Sequence, residues 1–549
     1  IIRRGFFRAE RYAVPSKYGP ARTWETIVAL LLIAGLLVGD MFFQGSLVAA
    51  QIQKGSQAPL MIPGTGIWFI INLLRATPIV KLQNIHLGAY YFHELIFFCF
   101  LCYLPFGRFF HLVTSLPNLF SMKLNKGTVK PVRWGVDEDK IEELETFGVN
   151  KFEDFTWKHM LDFYSCADCG RCSDQCPANA VGRPLSPRFI SIKCRNYAYQ
   201  LYPIRGQNVD SQPLIGHVLA EDEIWSCTTC GACEQECPLM IEYIDKIVDL
   251  RRNMVDEGLV PQSLQKPLGA LEKRGNPYGK MEKKRADWTN ALTEDFKVQV
   301  LIKNVTAETL YFVDSITSYD DRIQEIGRAT ARVLKTAEID FGILGPNERD
   351  SGHEVRRFGE EMLFLDLKDR NTEAIINSGA SRIVTADPHA YNALKHDYDG
   401  IPPVEHISQV IARELQTGKL RLKDVEDPKA VYTYHDPCYL GRHNGIYDIP
   451  REVINSIPGS RQVDMLKCKD RSFCCGGGGL MLYYEPIEET RMGKLRVAMA
   501  HNAGATVIVT ACPFCMVNIE DAIKTSGLEG EMQVVDLVEL IDRHLIIEP

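Results

Sequence analysis

The chain has 549 residues, is 46% apolar and 24% charged, and carries a formal net charge of −8. At roughly 100–200 residues per domain this length corresponds to about three to five domains, enough to bury a large core without disulfides. The composition excludes a disordered, collagen-like or small secreted protein, and the mild acidity argues against a nucleic-acid binder. Fifteen of the 17 cysteines lie after residue 165, mostly in CxxC and CC groups. Neighbours that close suit metal ligation in a reducing compartment better than long-loop disulfides.

Residues 1–23 are basic, with Arg3, Arg4, Arg8, Arg11, Lys17 and Arg22 against Glu10. From Trp24 to Ala50 the chain is apolar apart from Asp40 and exceeds the ~20 residues that cross a bilayer. Asp40 suits either a proton route or a polar helix contact. The apolar piece Ile67–Leu74 is too short to span and reads as interfacial. Leu87–Phe120, interrupted by Glu94, Pro105 and Arg108, reads as a second span. The late start and length of the first run argue against a signal peptide. Lys123, Lys126, Lys130 and Arg133 follow the second span. Positive flanks sit in the cytoplasm, so residues 24–120 are expected to be a two-span membrane domain with the soluble parts cytoplasmic.

His93 and His111 are 18 residues apart, which on one continuous helix puts both on one face about 27 Å apart. That separation approaches the hydrocarbon thickness, so the pair suits either metal ligands near the two surfaces or contacts to a helix partner. His86 falls on the same face. The segments His93-Glu94-Leu95-Ile96 and Leu104-Pro105-Phe106-Gly107-Arg108-Phe109-Phe110-His111 resemble the last transmembrane helix of nitrate reductase gamma subunits. The resemblance implies that His93 and His111 each ligate a haem b, one per leaflet. In that family the other two ligands come from an earlier helix. This chain has no histidine before His86 and begins at Ile1, so upstream helices or another membrane protein are expected to supply them.

The next segment, 121–255, carries Cys166-x2-Cys169-x2-Cys172-x3-Cys176-Pro177 and repeats it as Cys227-x2-Cys230-x2-Cys233-x3-Cys237-Pro238. This is the two-cluster ferredoxin run, in which the fourth cysteine ligates the other cluster. One cubane [4Fe–4S] cluster is therefore expected on Cys166, Cys169, Cys172 and Cys237, and a second on Cys227, Cys230, Cys233 and Cys176. Zinc is disfavoured by four cysteines per motif, twice, with Cys-Pro endings. Between the motifs Arg188–Tyr199 reads as a helix, with Cys194 in its core. The long insert is similar to the all-helical dicluster domains of succinate dehydrogenase and heterodisulfide reductase. Residues 256–296, with the turn Gly275–Gly279 and the basic run Lys280–Arg285, read as a solvated linker.

From residue 297 the chain repeats itself. Ile383-Val-Thr-Ala-Asp387-Pro-His389-Ala390 mirrors Ile508-Val-Thr-Ala-Cys512-Pro-Phe514-Cys515. Strand-like runs at 309–313 and 382–385, then at 431–434 and 506–510, alternate with helical ones. Two α/β units, 297–425 and 426–549, packed as a pseudo-twofold pair are expected. The second copy holds Cys438, Cys474, Cys475, Cys512 and Cys515, with the permissive run Gly476–Gly479 after the cysteine pair. It resembles the cysteine-rich CCG domain of heterodisulfide reductases, which implies a non-cubane [4Fe–4S] cluster on those five cysteines. The matching positions of the first copy read Ser315, Asp350, Ser351, Asp387 and Ala390, so no cluster is expected there. Asp387 and His389 could bind a harder metal, but a structural role or a partner surface is expected instead.

The fold class is thus multidomain: transmembrane α-helices, an all-helical dicluster ferredoxin domain, then an α/β pseudo-twofold CCG repeat. The whole order resembles membrane-bound iron–sulfur oxidoreductases of the electron-transfer flavoprotein:menaquinone type. That resemblance implies a prokaryotic cytoplasmic-membrane enzyme in which the CCG site is the entry, the cubanes relay, and haems at His111 and then His93 lead to menaquinone. A quinol-linked heterodisulfide or thiol–disulfide reductase, and a non-catalytic wiring component of a larger complex, are the alternatives.

Overall fold

A computed structural model describes residues 23–56, 62–106, 108–144, 146–203, 206–302 and 305–547. The basic residues 1–22 lie outside it, as does Gly107 of the histidine segment. Contacts divide the chain into two units, residues 1–121 with 160–170 and 191–196, and residues 122–159 with 171–190 and 197–549.

In the first unit, α1 (Thr23–Gln53) packs along α3 (Ile79–Tyr103), with the short α2 (Gly66–Leu74) beside them. Small residues make the close approach possible. Gly35 and Gly39, four apart on α1, face Ile96 and His93 of α3, where a Cβ would stand 3.5 and 3.2 Å from side-chain carbon. This is the small-xxx-small seam that membrane helices use where burial of apolar surface supplies no driving force. Polar groups are satisfied within the pair. Gln44 Nε2 donates to both Asp40 oxygens at 2.9 Å. His86 stacks on Phe43 with ring centroids 4.1 Å apart, and its Nδ1 lies 3.0 Å from the Phe43 carbonyl oxygen. Asp40 and His86 are thereby engaged in contacts within the helix pair. The outer faces are apolar and exposed, as at Leu31 (58%) and Leu95 (63%). Both α1 and α3 are long and apolar enough to cross a membrane.

One expectation is corrected here. The second apolar stretch is not one helix from Leu87 to Phe120. It starts at Ile79, ends at Tyr103, and gives way to 3₁₀ turns at Leu104–Phe106 and Arg108–Phe110 before α4 (His111–Phe120). Pro105 has no N–H to donate and its ring opposes continuation. His93 and His111 therefore sit on different helices, and the argument from a shared face and a spacing of about 27 Å fails.

In the second unit, helices α5 (Ile244–Asp256) and α6 (Gln262–Arg274) follow the second cysteine motif. The segment 256–296 is not a solvated linker. Leu264 and Leu271 of α6 are buried, as are Trp288 and Arg285. Beyond it lie two parallel sheets. The first, in order β1-β3-β2-β4-β5, uses Gln299–Val300 (β1), Thr309–Phe312 (β2), Phe341–Ile343 (β3), Arg382–Thr385 (β4) and Val404–His406 (β5). The second, β6-β7-β8, uses Tyr432–Tyr434, Val507–Thr510 and Gln533–Asp536. A parallel bridge from Tyr432 to Gln462 stands where β3 stands beside β2, so the strand order repeats between copies. These are short runs rich in β-branched residues and largely buried, as parallel strands require.

The packing between copies is reciprocal. Helix α7 (Gln324–Thr336), after β2, packs on α11 (Leu537–His544), after β8. Helix α8 (Ile407–Gln416), after β5, packs on α9 (Asp448–Asn455), after β6. Helix α10 (Pro513–Thr525) follows β7 in the second copy. Arg322–Glu539 and Arg332–Asp542 ion pairs, both 2.7 Å, flank the first contact. One apolar core runs through both copies, from Tyr311 and Ile326 to Ile508 and Ile541.

Candidate metal centres

The two ferredoxin motifs share a backbone device. Asp168 and Thr229, each two residues into its motif, have φ of +56° and +51°, and the nearby Gly170 and Gly231 have +80° and +75°. Left-handed backbone at a non-glycine residue is costly, so the repetition of the device marks a constrained turn around a common object. It also turns amides toward sulfur: Thr229 N–H donates to Cys227 Sγ at 3.3 Å.

Cys176, Cys227, Cys230 and Cys233 line a single cavity, closed on its other sides by Ile190, Tyr243 and Ile247 among others. These are the four residues that the motif crossover pairs. Burial pushes the Cys227 thiol up to about 11 and raises Cys176 and Cys233 as well. Four thiols around one cavity, Cys176 and Cys230 buried and Cys227 and Cys233 half-buried, fit a metal cluster, whose binding would release their protons. The other quartet is divided between the units. Cys166 is buried in the first, where Arg195 Nη1 donates to its carbonyl at 2.9 Å. Cys172 and Cys237 belong to the second, Cys172 Sγ lying 3.7 Å from Tyr243 Oη and Cys237 Sγ accepting from Ile241 N at 3.4 Å. Cys194 is fully buried in helix Pro187–Leu201.

The five cysteines of the second copy converge from three places: the loop after β6 (Cys438), the loop at Cys474–Cys475, and the start of α10 (Cys512, Cys515). Their thiols lie close enough to shift one another's protonation: Cys474 acts on Cys438 and Cys475, Cys475 on Cys515, and Cys515 on Cys512. All five are buried, and five sulfurs so close in a dry site fit an iron–sulfur cluster better than a core packed with free thiols. His435 joins them, one ring nitrogen lying within 4.8 Å of Cys475 and Cys515 Sγ. Its Nδ1 accepts from Arg496 Nε at 2.9 Å. The site also touches the ferredoxin motif: Cys474 Sγ lies 3.7 Å from Thr228 Oγ1, and the Cys474 and Cys230 thiols shift one another's protonation. The glycine run explains how the loops come so near. A Cβ at Gly478 would stand 2.6 Å from Thr228 O, and one at Gly479 3.0 Å from Cys227 O.

The first copy contributes in a way that its lost cysteines hide. His389 stands where the second copy has Phe514, and the two rings stack at 4.2 Å with planes 9° apart. His389 Nδ1 lies 2.7 Å from Glu354 Oε1, and the ring and the Cys512 thiol shift one another's protonation. Burial pushes the Cys512 thiol up, but Cys515 and His389 hold it at about 5. His353 shares the same Glu354 oxygen at 2.9 Å. Asp387 caps the helix Pro388–His396 through His389 N at 2.8 Å. The positions that match the cysteines are occupied by a polar network. Asp314 Oδ1 accepts from Ser315 N and Ser351 N, Asp350 accepts from Gly352 N, and Arg285 reaches in to Ser315 Oγ at 3.4 Å while pairing with Glu348 at 3.1 Å. Sequence reasoning missed Arg285, His435 and Glu354. Only the placement of His389 two residues after Asp387 offered a signal.

Two adjoining sulfur-lined sites, in a chain with two membrane-length helices, define an iron–sulfur electron-transfer protein. Residues 165–241 match the 4Fe-4S dicluster domain family, and residues 316–395 and 432–520 match the cysteine-rich domain family. The chain is 32% identical to the probable iron–sulfur-binding oxidoreductase FadF of Bacillus subtilis, over 96% of this chain and 79% of the relative. It is 32% identical to the EtfAB:quinone oxidoreductase of Syntrophomonas wolfei, over 98% and 79%. It is 31% identical to one component of the dihydromethanophenazine:CoB–CoM heterodisulfide reductase of Methanosarcina barkeri, over 72% and 96%. The chain belongs to the family of iron–sulfur oxidoreductases that includes FadF and the EtfAB:quinone oxidoreductase, and it is an oxidoreductase.

Proposed function

We propose that the chain takes electrons from a reduced electron-transfer flavoprotein and delivers them to menaquinone, as a membrane enzyme of a prokaryotic cytoplasmic membrane. The observation that carries this reading is the approach of Cys474 Sγ to 3.7 Å from Thr228 Oγ1, which sets a CCG ligand against the backbone stretch between the ferredoxin ligands Cys227 and Cys230. Electrons entering at the CCG site thus have a direct neighbour in the cubane cavity. Cys438, Cys474, Cys475, Cys512 and Cys515 would hold the entry cluster, with Cys227, Cys230, Cys233 and Cys176, then Cys166, Cys169, Cys172 and Cys237, holding two cubanes. Bound clusters supply one-electron chemistry. The chain's own part is to hold the thiolates, exclude water, and aim N–H groups at sulfur. The two CCG copies form a pseudo-twofold pair, consistent with their reciprocal helix packing.

α1 and α3 anchor the protein in the bilayer, with the soluble domains on the cytoplasmic side favoured by Lys123, Lys126, Lys130 and Arg133. Haem b fits the described residues poorly. α1 contains no histidine, so among the described residues His93 and His111 offer at most one imidazole per haem. The test is purified protein with reduced electron-transfer flavoprotein and a menaquinone analogue. Quinone reduction without turnover of small disulfides is expected. No quinone reduction by protein with a full iron complement would overturn the reading, and turnover of a disulfide would favour the heterodisulfide reductase relatives instead.

A further inference from the structure

A cleft of about 240 Å³ lies beside the ferredoxin motif and is lined by no cysteine, so it is distinct from the cluster cavities. Its floor includes Gly231, which sits between Cys230 and Cys233, and its walls include Ile241, Ile244 and Arg442. Met122, Leu124 and Met240 line it too and are 37%, 80% and 42% exposed, which gives the cleft an apolar mouth.

Arg442 stands between the cleft and the thiols of Cys230, Cys438 and Cys474, whose charge it balances. It is 4% exposed. Its Nε donates to Cys230 O at 2.7 Å and its Nη1 to Ser472 O, but Nη2 has no hydrogen-bond partner among the described residues. A buried guanidinium N–H left unpaired costs about 1–3 kcal/mol or more, which a bound acceptor would relieve. The other charges in the cleft are engaged: Lys123 pairs with Asp245 at 3.0 Å, and Glu234 accepts from Ile244 N at 2.7 Å.

We propose that this cleft is a binding site for the ring of an isoprenoid quinone, with one ring carbonyl accepting from Arg442 Nη2 and the tail leaving over Met122, Leu124 and Met240. Size, charge and position each favour that occupant. The cleft is smaller than the ~300–1,000 Å³ of sites that take whole drug-sized ligands, so it suits one fused ring rather than a dinucleotide. Glu234, Glu242 and Asp245 in its lining balance Lys123, Lys126 and Arg442, so the cleft has no excess of positive charge to draw a phosphate-like anion, while a neutral dione needs only a donor and an apolar wall. Its floor is the backbone between two ligands of the proposed cubane, so the ring lies next to an electron source. Reduction of the ring to the hydroquinone takes two electrons, which come one at a time through that cluster from the reduced flavoprotein. It also takes two protons, which come from solvent at the mouth, and both carbonyls become hydroxyls.

The site rests on the quinone reading above, and the experiment separates the two. Intact detergent-solubilised protein is photolabelled with an azido-naphthoquinone bearing a short prenyl tail, and labelled peptides are mapped. Binding of the unmodified naphthoquinone is measured in parallel by equilibrium dialysis. Label on residues 122–128 or 240–245 is expected. Arg442→Lys and, at the exposed mouth, Met122→Trp should each weaken binding at least tenfold with iron content unchanged. Label confined to α1 or α3, or unchanged affinity in both variants, while flavoprotein-driven quinone reduction persists, overturns the cleft and leaves the proposed function standing. Absence of both binding and quinone reduction in iron-replete protein overturns both.

Discussion

Gly478→Ala is the sharpest probe of how the CCG loop meets the ferredoxin motif. The new Cβ would stand 2.6 Å from Thr228 O, whereas ordinary contact begins near 3.4 Å. The opposing group is backbone and is held from behind: Arg251 Nη2 donates to the carbonyls of Ile224, Trp225 and Cys227. It cannot swing away as a side chain would, so the glycine loop must withdraw by close to an ångström. Overpacking of this kind costs about 1–3 kcal/mol. The same shift pulls Cys474 from Thr228, now 3.7 Å away, and from Cys230. Two assays follow from this. Thermal unfolding under argon should show a melting temperature lower by several degrees. Electron paramagnetic resonance of the reduced protein should show a weaker magnetic interaction between neighbouring centres. Gly269→Ala is the matched control. It lies inside α6 with nothing within 4 Å of its added Cβ, and should gain about 0.5–1 kcal/mol from helix propensity. If Gly478→Ala melts with the parent and keeps the interaction, close backbone approach is not what couples the two cavities.

Asp397→Asn should cost about 3–5 kcal/mol, because it leaves the buried Arg357, 3.0 Å from an Asp397 oxygen, without its anion, and Arg356, also 3.0 Å from Asp397, with Glu361 alone. Burial pushes the Asp397 carboxyl up, but Arg357 and Arg356 outweigh it and hold it below its usual value. Its stabilisation is therefore present above the unfolded value of about 3.9 and lost as pH falls through the lower folded value. The gap between parent and variant in acid denaturation should close below about pH 4, and a gap that is constant with pH would refute the ionic account. Iron analysis should return about twelve atoms per chain for three [4Fe–4S] clusters, and Cys176→Ser should remove only the signal of the cubane that it is proposed to hold. His389→Ala removes a ring that shifts the protonation of Cys512 and should lower the midpoint potential of the CCG centre by on the order of tens of millivolts. An unmoved potential would reduce His389 to packing.

The cysteine motifs were fully legible, because cluster ligation fixes residue type and spacing locally. So were the strands at Thr309, Arg382, Tyr432 and Val507, since buried parallel strands write themselves as short β-branched runs. The second membrane stretch was legible in composition and wrong in continuity. Hydropathy does not register the missing N–H of Pro105, and a spacing of 18 residues has meaning only along an unbroken helix. Arg285 could not be foreseen. A basic run looks like a solvated surface until the tertiary fold supplies Glu348, Asp314 and Ser315 to receive one of its members. The same holds for His389, whose partners Glu354 and Cys512 come from 35 and 123 positions away.

The crossed helix packing has an evolutionary consequence. Because α7 and α8 of the first copy complete the faces of α11 and α9 in the second, the cysteine-free copy is not a relic awaiting deletion. Its outer helices are half of a shared interface, and where the second copy has cysteines it holds Ser315 and Asp350 in a hydrogen-bonded network with Asp314, Gly352 and Arg285. A duplicated domain can thus lack the chemistry of its twin and still be indispensable as scaffold.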